Sequence, residues 1–370
     1  MKVAYLLGSL NRGGTEMLIL DLFINSNEAP YEMVGLYRKD GILSRDFQSS
    51  ETLVIKNKTG PFWMILLYLY RLRNLINSLQ VDIIHVNQSI DTLYSFLACI
   101  GLPVKIIQTN HEYDFHYKFF EKFLKSLSLK LADHNLFVSK TLYNYYKSSY
   151  AFKDNGNNAV LYNAIDFKKF HKSPSFELKT MLGLQNDVLT LGMTGNFGPG
   201  HDQATVCRFL KLLDKLNVNF VFVFIGGKDN NNPLLYEECT LFCSKNNLNE
   251  KVHFLGTRSD VPDILTQLDA FIYSSTHDAF GISVIEAIAS GIPVFVNDWE
   301  VMKEITDCGE RAIIYRSKDE NDLLKKFMDF YHCPENFKEI AKKNAEWAKR
   351  KYNIESYFTK LYNIYSIKCP

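Results

Sequence analysis

The chain has 370 residues, 46% of them apolar, and a net charge of +1. That length holds two domains of ordinary size, and that apolar fraction excludes a disordered chain. No run of clustered basic residues resembles a nucleic-acid-binding tract. The charge is nonetheless uneven: residues 1–172 carry 20 Lys and Arg against 15 Asp and Glu, and the remainder 22 against 26. The seven cysteines (Cys99, Cys207, Cys239, Cys243, Cys308, Cys333 and Cys369) are odd in number and form no CxxC pair. That argues against a disulfide framework or a zinc site and for a reducing compartment.

From Met1 the chain passes directly into VAYLLGS, with no charged-then-apolar leader ahead of it. The most apolar helical run, Pro61 to Tyr70, is too short to span a bilayer and is followed by Arg71 and Arg73. The expectation is a cytoplasmic protein, at most attached to the inner face of the cytoplasmic membrane. Strand-like runs follow at EMVGLY, TLVIKN, DIIHVN, VKIIQTN, HNLFVS and AVLYN, with amphipathic segments such as 61–80 and 117–132 between them. A polar stretch, Phe167 to Asp187, reads as an interdomain connection. The pattern restarts near Thr190 with LTLGMTG, FVFVFIGG, KVHFLG, AFIYSS, PVFVN and AIIYR. Short apolar, β-branched strands alternating with helices mean parallel sheets covered on both faces. The fold class is therefore α/β, with Rossmann-like domains over 1–170 and 186–350. After Asp319 come three consecutive helices, at 319–332, 335–351 and 353–367. The last has an aromatic face that either packs back on the first domain or caps the second.

Residues 274–297, SSTHDAFGISVIEAIASGIPVFVN, carry the most chemistry. Asp278 stands just ahead of Phe280-Gly281, and Glu286 follows eight residues later. A helix ends at Gly291, and Pro293 opens an apolar strand. Strand, tight turn and helix N-terminus in that order make an anion site. Two acids beside it can accept hydrogen bonds from ligand hydroxyls, or can simply cap the helix. Phosphates and hydroxyls together describe a sugar nucleotide. A second glycine pair, Gly13-Gly14, opens a helix after the first strand, where backbone N–H groups can approach a diphosphate or form an ordinary turn. No Asp-x-Asp occurs, and no His/Cys/Asp cluster has metal-ligand spacing, so no metal and no other cofactor is expected.

Nearly end to end, the chain resembles the GT-B glycosyltransferases of the retaining, glycogen-synthase-like group, glycosyltransferase family 4. Asp278, Ala279-Phe280-Gly281 and Glu286 match its E-x7-E signature and GFG element, with Asp in place of the first Glu. Gly13-Gly14-Thr15-Glu16 matches its Gly-Gly-x-Glu loop. The resemblance implies two facing Rossmann-like domains with a cleft between them, the second holding the donor and the first shaping the acceptor side. It implies that Glu286 binds the nucleotide ribose and that Asp278 faces the donor sugar beside the N–H groups of Phe280 and Gly281. It implies a phosphate contact at Gly14 and an active-site role near the transferred sugar for His111. The loop that carries an Arg and a Lys in many members reads Asn196 and His201 here. Both can donate hydrogen bonds, His201 as a cation beside phosphate, and Arg258 is the nearest further cation. Asn196 reads equally well as a turn residue with a satisfied amide.

The implied reaction is metal-independent transfer of a sugar, with retention, from a UDP- or GDP-sugar to a sugar or lipid-linked acceptor. The implied setting is lipopolysaccharide or capsule assembly. Two rivals stand beside it: a sugar-nucleotide epimerase of the same architecture, and a non-catalytic nucleotide-sugar-binding member. Residues 111–130 are basic and aromatic, with Lys118, Lys122 and Lys125 at helical spacing. They read either as a peripheral contact with an anionic membrane or as an ordinary amphipathic helix with a solvated lysine face.

Overall fold

Every strand-like run named above forms a strand, and among the described residues all the strand pairings are parallel. A computed structural model of the chain describes all residues except 61–63, 151, 153–155, 171–173, 186, 230–231 and 368–370. Pro61 at the head of the expected helix, Ser173 in the connection and Cys369 therefore lie outside the described residues. The chain divides into two compact units, Met1–Asp166 with Tyr352–Pro370, and Phe167–Lys351.

In the first unit the strands are β1 (Lys2–Ser9), β2 (Glu32–Lys39), β3 (Leu53–Lys56), β4 (Ile83–Val86), β5 (Lys105–Asn110), β6 (His134–Phe137) and β7 (Asn158–Val160). They form one sheet in the order β3-β2-β1-β4-β5-β6-β7. The helices of this unit are α1 (Gly14–Ile24), α2 (Ser44–Ser49), α3 (Ile65–Ser78), α4 (Ser89–Cys99), α5 (Phe119–Leu131) and α6 (Lys140–Tyr150). Side chains alternate along β1, so Val3, Tyr5 and Leu7 enter a core with α1, whereas Ala4 and Leu6 enter another with α3 and α4. Burial on both faces is why this strand shows no polar alternation.

In the second unit the strands are β8 (Leu189–Thr194), β9 (Phe220–Ile225), β10 (Val252–Phe254), β11 (Ala270–Tyr273), β12 (Val294–Asn297) and β13 (Ile313–Tyr315). Their order is β10-β9-β8-β11-β12-β13. The helices are α7 (Leu178–Met181), α8 (Gln203–Lys215), α9 (Leu234–Lys245), α10 (Val261–Leu265), α11 (Ile282–Ala289), α12 (Glu300–Ile305), α13 (Glu320–His332) and α14 (Pro334–Lys351). The connection begins this unit, with Leu178 of α7 buried. Phe209 of α8 and Phe295 of β12 both pack on Phe327 of α13, with ring centroids 5.3 and 5.6 Å apart.

The terminal helix α15 (Ile354–Ser366) belongs to the first unit. Its Tyr357, Phe358, Leu361 and Tyr365 enter the core that holds α1. The Tyr365 hydroxyl lies 2.5 Å from His85 Nδ1 and 3.1 Å from the Tyr5 hydroxyl. His85 Nε2 lies 2.6 Å from Thr109 Oγ1. A buried imidazole thus has both nitrogens engaged, and burial, with His111 nearby, pushes its pKa down to about 3. Four of the cysteines, Cys99, Cys207, Cys239 and Cys243, are free and buried, as small apolar side chains would be.

Candidate donor site and the residues around it

Each sheet reverses its strand order once, between β1 and β4 and between β8 and β11. Ligands of open parallel sheets bind beyond the carboxyl ends of the strands at such a reversal. In the second unit that point joins the two loops singled out in the sequence. The loop after β8 runs beside the loop after β11. Asp202 N–H donates to Ser274 O at 3.0 Å, Thr276 N–H donates to Gly200 O at 2.9 Å, and His201 pairs with Ser275. Gly195 starts the first loop at φ +151°, and a Cβ there would lie 2.9 Å from His201 Nε2. Only glycine allows both that backbone and that approach.

Asp278 is held from two sides. The Tyr273 hydroxyl donates to its carboxylate, and Trp299 Nε1 donates to its backbone oxygen at 2.9 Å. Asn297 clamps the same loop, accepting from Ser275 N–H at 2.9 Å and donating to Ser275 O at 2.7 Å. Ala279 and Phe280 are buried, and Gly281 follows at φ +80° as the N-cap of α11. A Cβ on Gly281 would lie 2.8 Å from Met302 Cε, so α11 starts pressed against α12. No side chain caps α11, and no acid lies in its first turn. Glu286 is its fifth residue, half-buried. Glu286 thus lies past the first turn of α11, and the Asp278 carboxylate ahead of it accepts from Tyr273.

The other donor-side residues depart from expectation in part. Asn196 Oδ1 accepts from Gly227 N–H at 2.9 Å, which tethers the loop to the end of β9. Its amide NH2 remains the group able to donate to a ligand. His201 stands edge-on to the Tyr273 ring, with centroids 5.8 Å apart. Burial pushes its pKa down, while the Asp278 charge and the Asn196 backbone act the other way. Burial thus works against the cation expected at His201. Desolvation disfavours the charged ring, and a neutral imidazole donates through one nitrogen only. Arg258 forms a two-pronged pair with Asp260, at 2.8 and 2.5 Å, and lies over the Phe176 ring. The charge expected to help a diphosphate is already partnered by Asp260. Among the described residues no group of three His, Cys, Asp or Glu side chains comes together.

In the first unit α1 begins at Gly14, with Gly13 as an extended N-cap that has no side chain to offer. The Glu16 carboxylate folds back over this helix start and bonds its own backbone N–H, and burial raises its pKa. His111 follows β5, and its Nε2 lies 2.9 Å from Asn87 Oδ1, just after β4. Burial and the Lys125 charge push the His111 pKa down to about 3, so the ring is neutral. Because Oδ1 can only accept, the Asn87 bond places the proton on Nε2 and leaves Nδ1 as an acceptor. Lys125 corrects one expectation. It is buried, not on a solvated lysine face, and its ammonium donates to Asn110 Oδ1 at 2.7 Å and lies 4.9 Å from the Tyr146 ring centroid. Burial lowers its pKa to about 8.

Tyr273, Trp299, Asn297 and Asn87 escaped the sequence reading. Each acts through a hydrogen bond to a residue distant in the chain or across a loop, and none belongs to a spaced motif. The only signal was position, since Tyr273 ends β11 at the reversal point and Asn297 ends the neighbouring β12.

Comparison with known proteins follows the same division. The family model for glycosyltransferase family 4 matches residues 12–169, and that for glycosyl transferases group 1 matches residues 176–350. N-acetyl-alpha-D-glucosaminyl L-malate synthase of Bacillus anthracis is 23% identical over 295 residues, covering 77% of this chain and 74% of that one. UDP-Gal:alpha-D-GlcNAc-diphosphoundecaprenol alpha-1,3-galactosyltransferase of Escherichia coli is 25% identical over 253 residues, covering 62% and 61%. Among solved structures, Anabaena HepE in complex with UDP and glucose matches with a TM-score of 0.85 at 17% identity over 98% of both chains. WaaG, a glycosyltransferase involved in lipopolysaccharide biosynthesis, matches with a TM-score of 0.72 at 14% identity over 99% and 100%. The two solved structures establish the fold, and the two family models span both units: the chain belongs to the GT-B glycosyltransferases of the family 4 type.

Proposed function

We propose that the chain is a retaining, metal-independent glycosyltransferase that moves a hexose-type sugar from a nucleotide diphosphate to an acceptor hydroxyl. The observation that carries this reading is the left-handed turn at Gly281. It leaves the start of α11 without a side-chain cap, with the Asp278 carboxylate before it and Glu286 one turn in. A diphosphate is suited to the helix start, where N–H groups and the helix dipole favour negative charge. Ribose hydroxyls are assigned to Glu286 and a donor-sugar hydroxyl to Asp278. The amide of Asn196 and one His201 nitrogen donate to the leaving diphosphate. These are preorganised dipoles aimed at developing charge, which is how a transferase without a metal would lower its barrier. The resemblance assigns Gly13 and Gly14 to the diphosphate and His111 to the transferred sugar. As a neutral ring with its proton on Nε2, His111 orients hydroxyls without competing for the diphosphate's charge.

The donor is proposed to be a UDP- or GDP-sugar and the acceptor a sugar or a lipid-linked oligosaccharide, in lipopolysaccharide or capsule assembly at the inner face of the cytoplasmic membrane. In support, the E. coli relative is named for a UDP-Gal donor and a diphosphoundecaprenol acceptor. The rival reading, a non-catalytic binder, gains support from the pairing of Arg258 with Asp260 and from the burial that disfavours charge on His201. The test is UDP- and GDP-sugar binding by calorimetry with Glu286→Ala. Loss of at least about tenfold in affinity is expected for a lost charge-assisted bond pair. Unchanged affinity in the variant overturns the assignment, and donor binding without transfer to any acceptor favours the rival.

A further inference from the structure

Helix α5 is inside out. It buries Lys125, Ser128 and Leu129, yet exposes Phe119 to 90%, Phe120 to 66% and Phe123 to 56%. Folding alone would turn phenylalanine inward and lysine outward. All five exposed phenylalanines among the described residues lie on α4, on α5 or just ahead of α5. The helices α3, α4 and α5 pack side by side, and α3 and α5 both begin beyond carboxyl ends of the sheet, after β3 and β5. The first turns of α3 add Leu66 and Tyr70, exposed to 75% and 63%.

Basic side chains outnumber acids around this apolar edge, whose exposed acids are Glu112 and Glu121. Lys118 and Lys122 flank the phenylalanines, and Arg71 follows Tyr70; all three are exposed. Glu121 is the one acid in α5, and it is taken up by the helix start, accepting from the Lys118 N–H at 2.6 Å. In α3 there is no acid, and the one acid of α4, Asp91, is buried against Arg38 at 3.0 Å. Exposed aromatic rings beside Lys118, Lys122 and Arg71 suit the interface of a bilayer with anionic head groups. The rings enter the acyl boundary and the cations stay at the phosphates.

We propose that this edge, the starts of α5 and α3, docks the protein on an anionic phospholipid bilayer through Phe119, Phe120 and Phe123. It rests on the transferase reading only for its purpose, access to a lipid-linked acceptor, and its residues lie outside the donor site. The test is co-sedimentation of the full chain with phosphatidylcholine vesicles with and without phosphatidylglycerol, at low and high salt. Binding to the anionic vesicles alone, weakened by salt, is expected. Phe119→Ser with Phe123→Ser should lower partitioning by at least about tenfold, and Lys118→Ala and Lys122→Ala by roughly fivefold each. Calorimetric donor affinity should be unchanged in all of them, which separates this proposal from the donor-site assignment. No sedimentation at low salt, or equal sedimentation of the double phenylalanine variant, overturns the proposal. So does a concentration-dependent dimer that the phenylalanine variants dissolve, because a second copy would then be the occupant.

Discussion

Replacing Tyr273 by Phe removes a single hydroxyl from the donor site. That hydroxyl donates to the Asp278 carboxylate. The rest of the residue's role survives. Its ring still meets His201 edge-on, and its backbone oxygen still accepts from the Tyr315 hydroxyl at 2.9 Å. A hydrogen bond to a charged group contributes about 1.5–3 kcal/mol. Asp278 is only half-buried and can turn toward water, so the lower end applies. The freed carboxylate no longer faces the donor sugar in one orientation, and a loss of about 1.4 kcal/mol is a tenfold weaker donor. The assay is a double-mutant cycle of Tyr273→Phe and Asp278→Asn, read as UDP- or GDP-sugar affinity and kcat/KM. The two substitutions should couple by about 1–1.5 kcal/mol, because either one removes the charge-assisted part of the same bond. Additive effects would show that Tyr273 does not position Asp278 and would refute the reasoning.

Two further outcomes follow from the first unit. Tyr365→Phe orphans His85 Nδ1 inside the core while Tyr5 keeps Tyr31 at 3.2 Å. It should cost about 1–3 kcal/mol, seen as faster amide exchange in β4 and α15 with the second unit unaffected; equal destabilisation of both units would contradict this. His85 and His111 both have folded pKa values near 3 against 6.5 when unfolded. Between those values the unfolded chain takes up protons that the folded chain rejects. Stability is therefore full above pH 6.5 and falls below it by roughly 1.4 kcal/mol per pH unit for each ring. NMR titration should find both rings neutral down to pH 5, and titration near 6.5 would contradict it.

The fold was legible because its determinants are local. Each strand is a short apolar run buried on both faces, and FVFVFI at residues 220–225 could be nothing else in a parallel α/β chain. The helix boundaries after Asp319 were readable for the same reason. The backbone part of the site was legible too, since Phe280-Gly281 before an apolar helix demands a tight turn. What stayed hidden depends on tertiary partners. Lys125 keeps helical spacing with Lys118 and Lys122, but it is drawn inward by Asn110 and Tyr146, which no helical period reveals. Arg258 looked like a spare cation until Asp260, two residues on, took the Nε and Nη2 edge of its guanidinium. His201 looked like a replacement for a lysine, but its burial disfavours the charge, which no spacing reveals.

The measurement closest to the central claim is the anomeric configuration of the product. The full chain, freed of divalent metal by a chelator, would be incubated with an anomerically pure UDP- or GDP-sugar and a lipid-linked acceptor. Proton NMR of the new glycosidic linkage gives the stereochemistry. The account predicts transfer that persists with the chelator present and a linkage with the same anomeric configuration as the donor. An inverted linkage, a strict need for added metal, or epimerised donor without any transfer would contradict it.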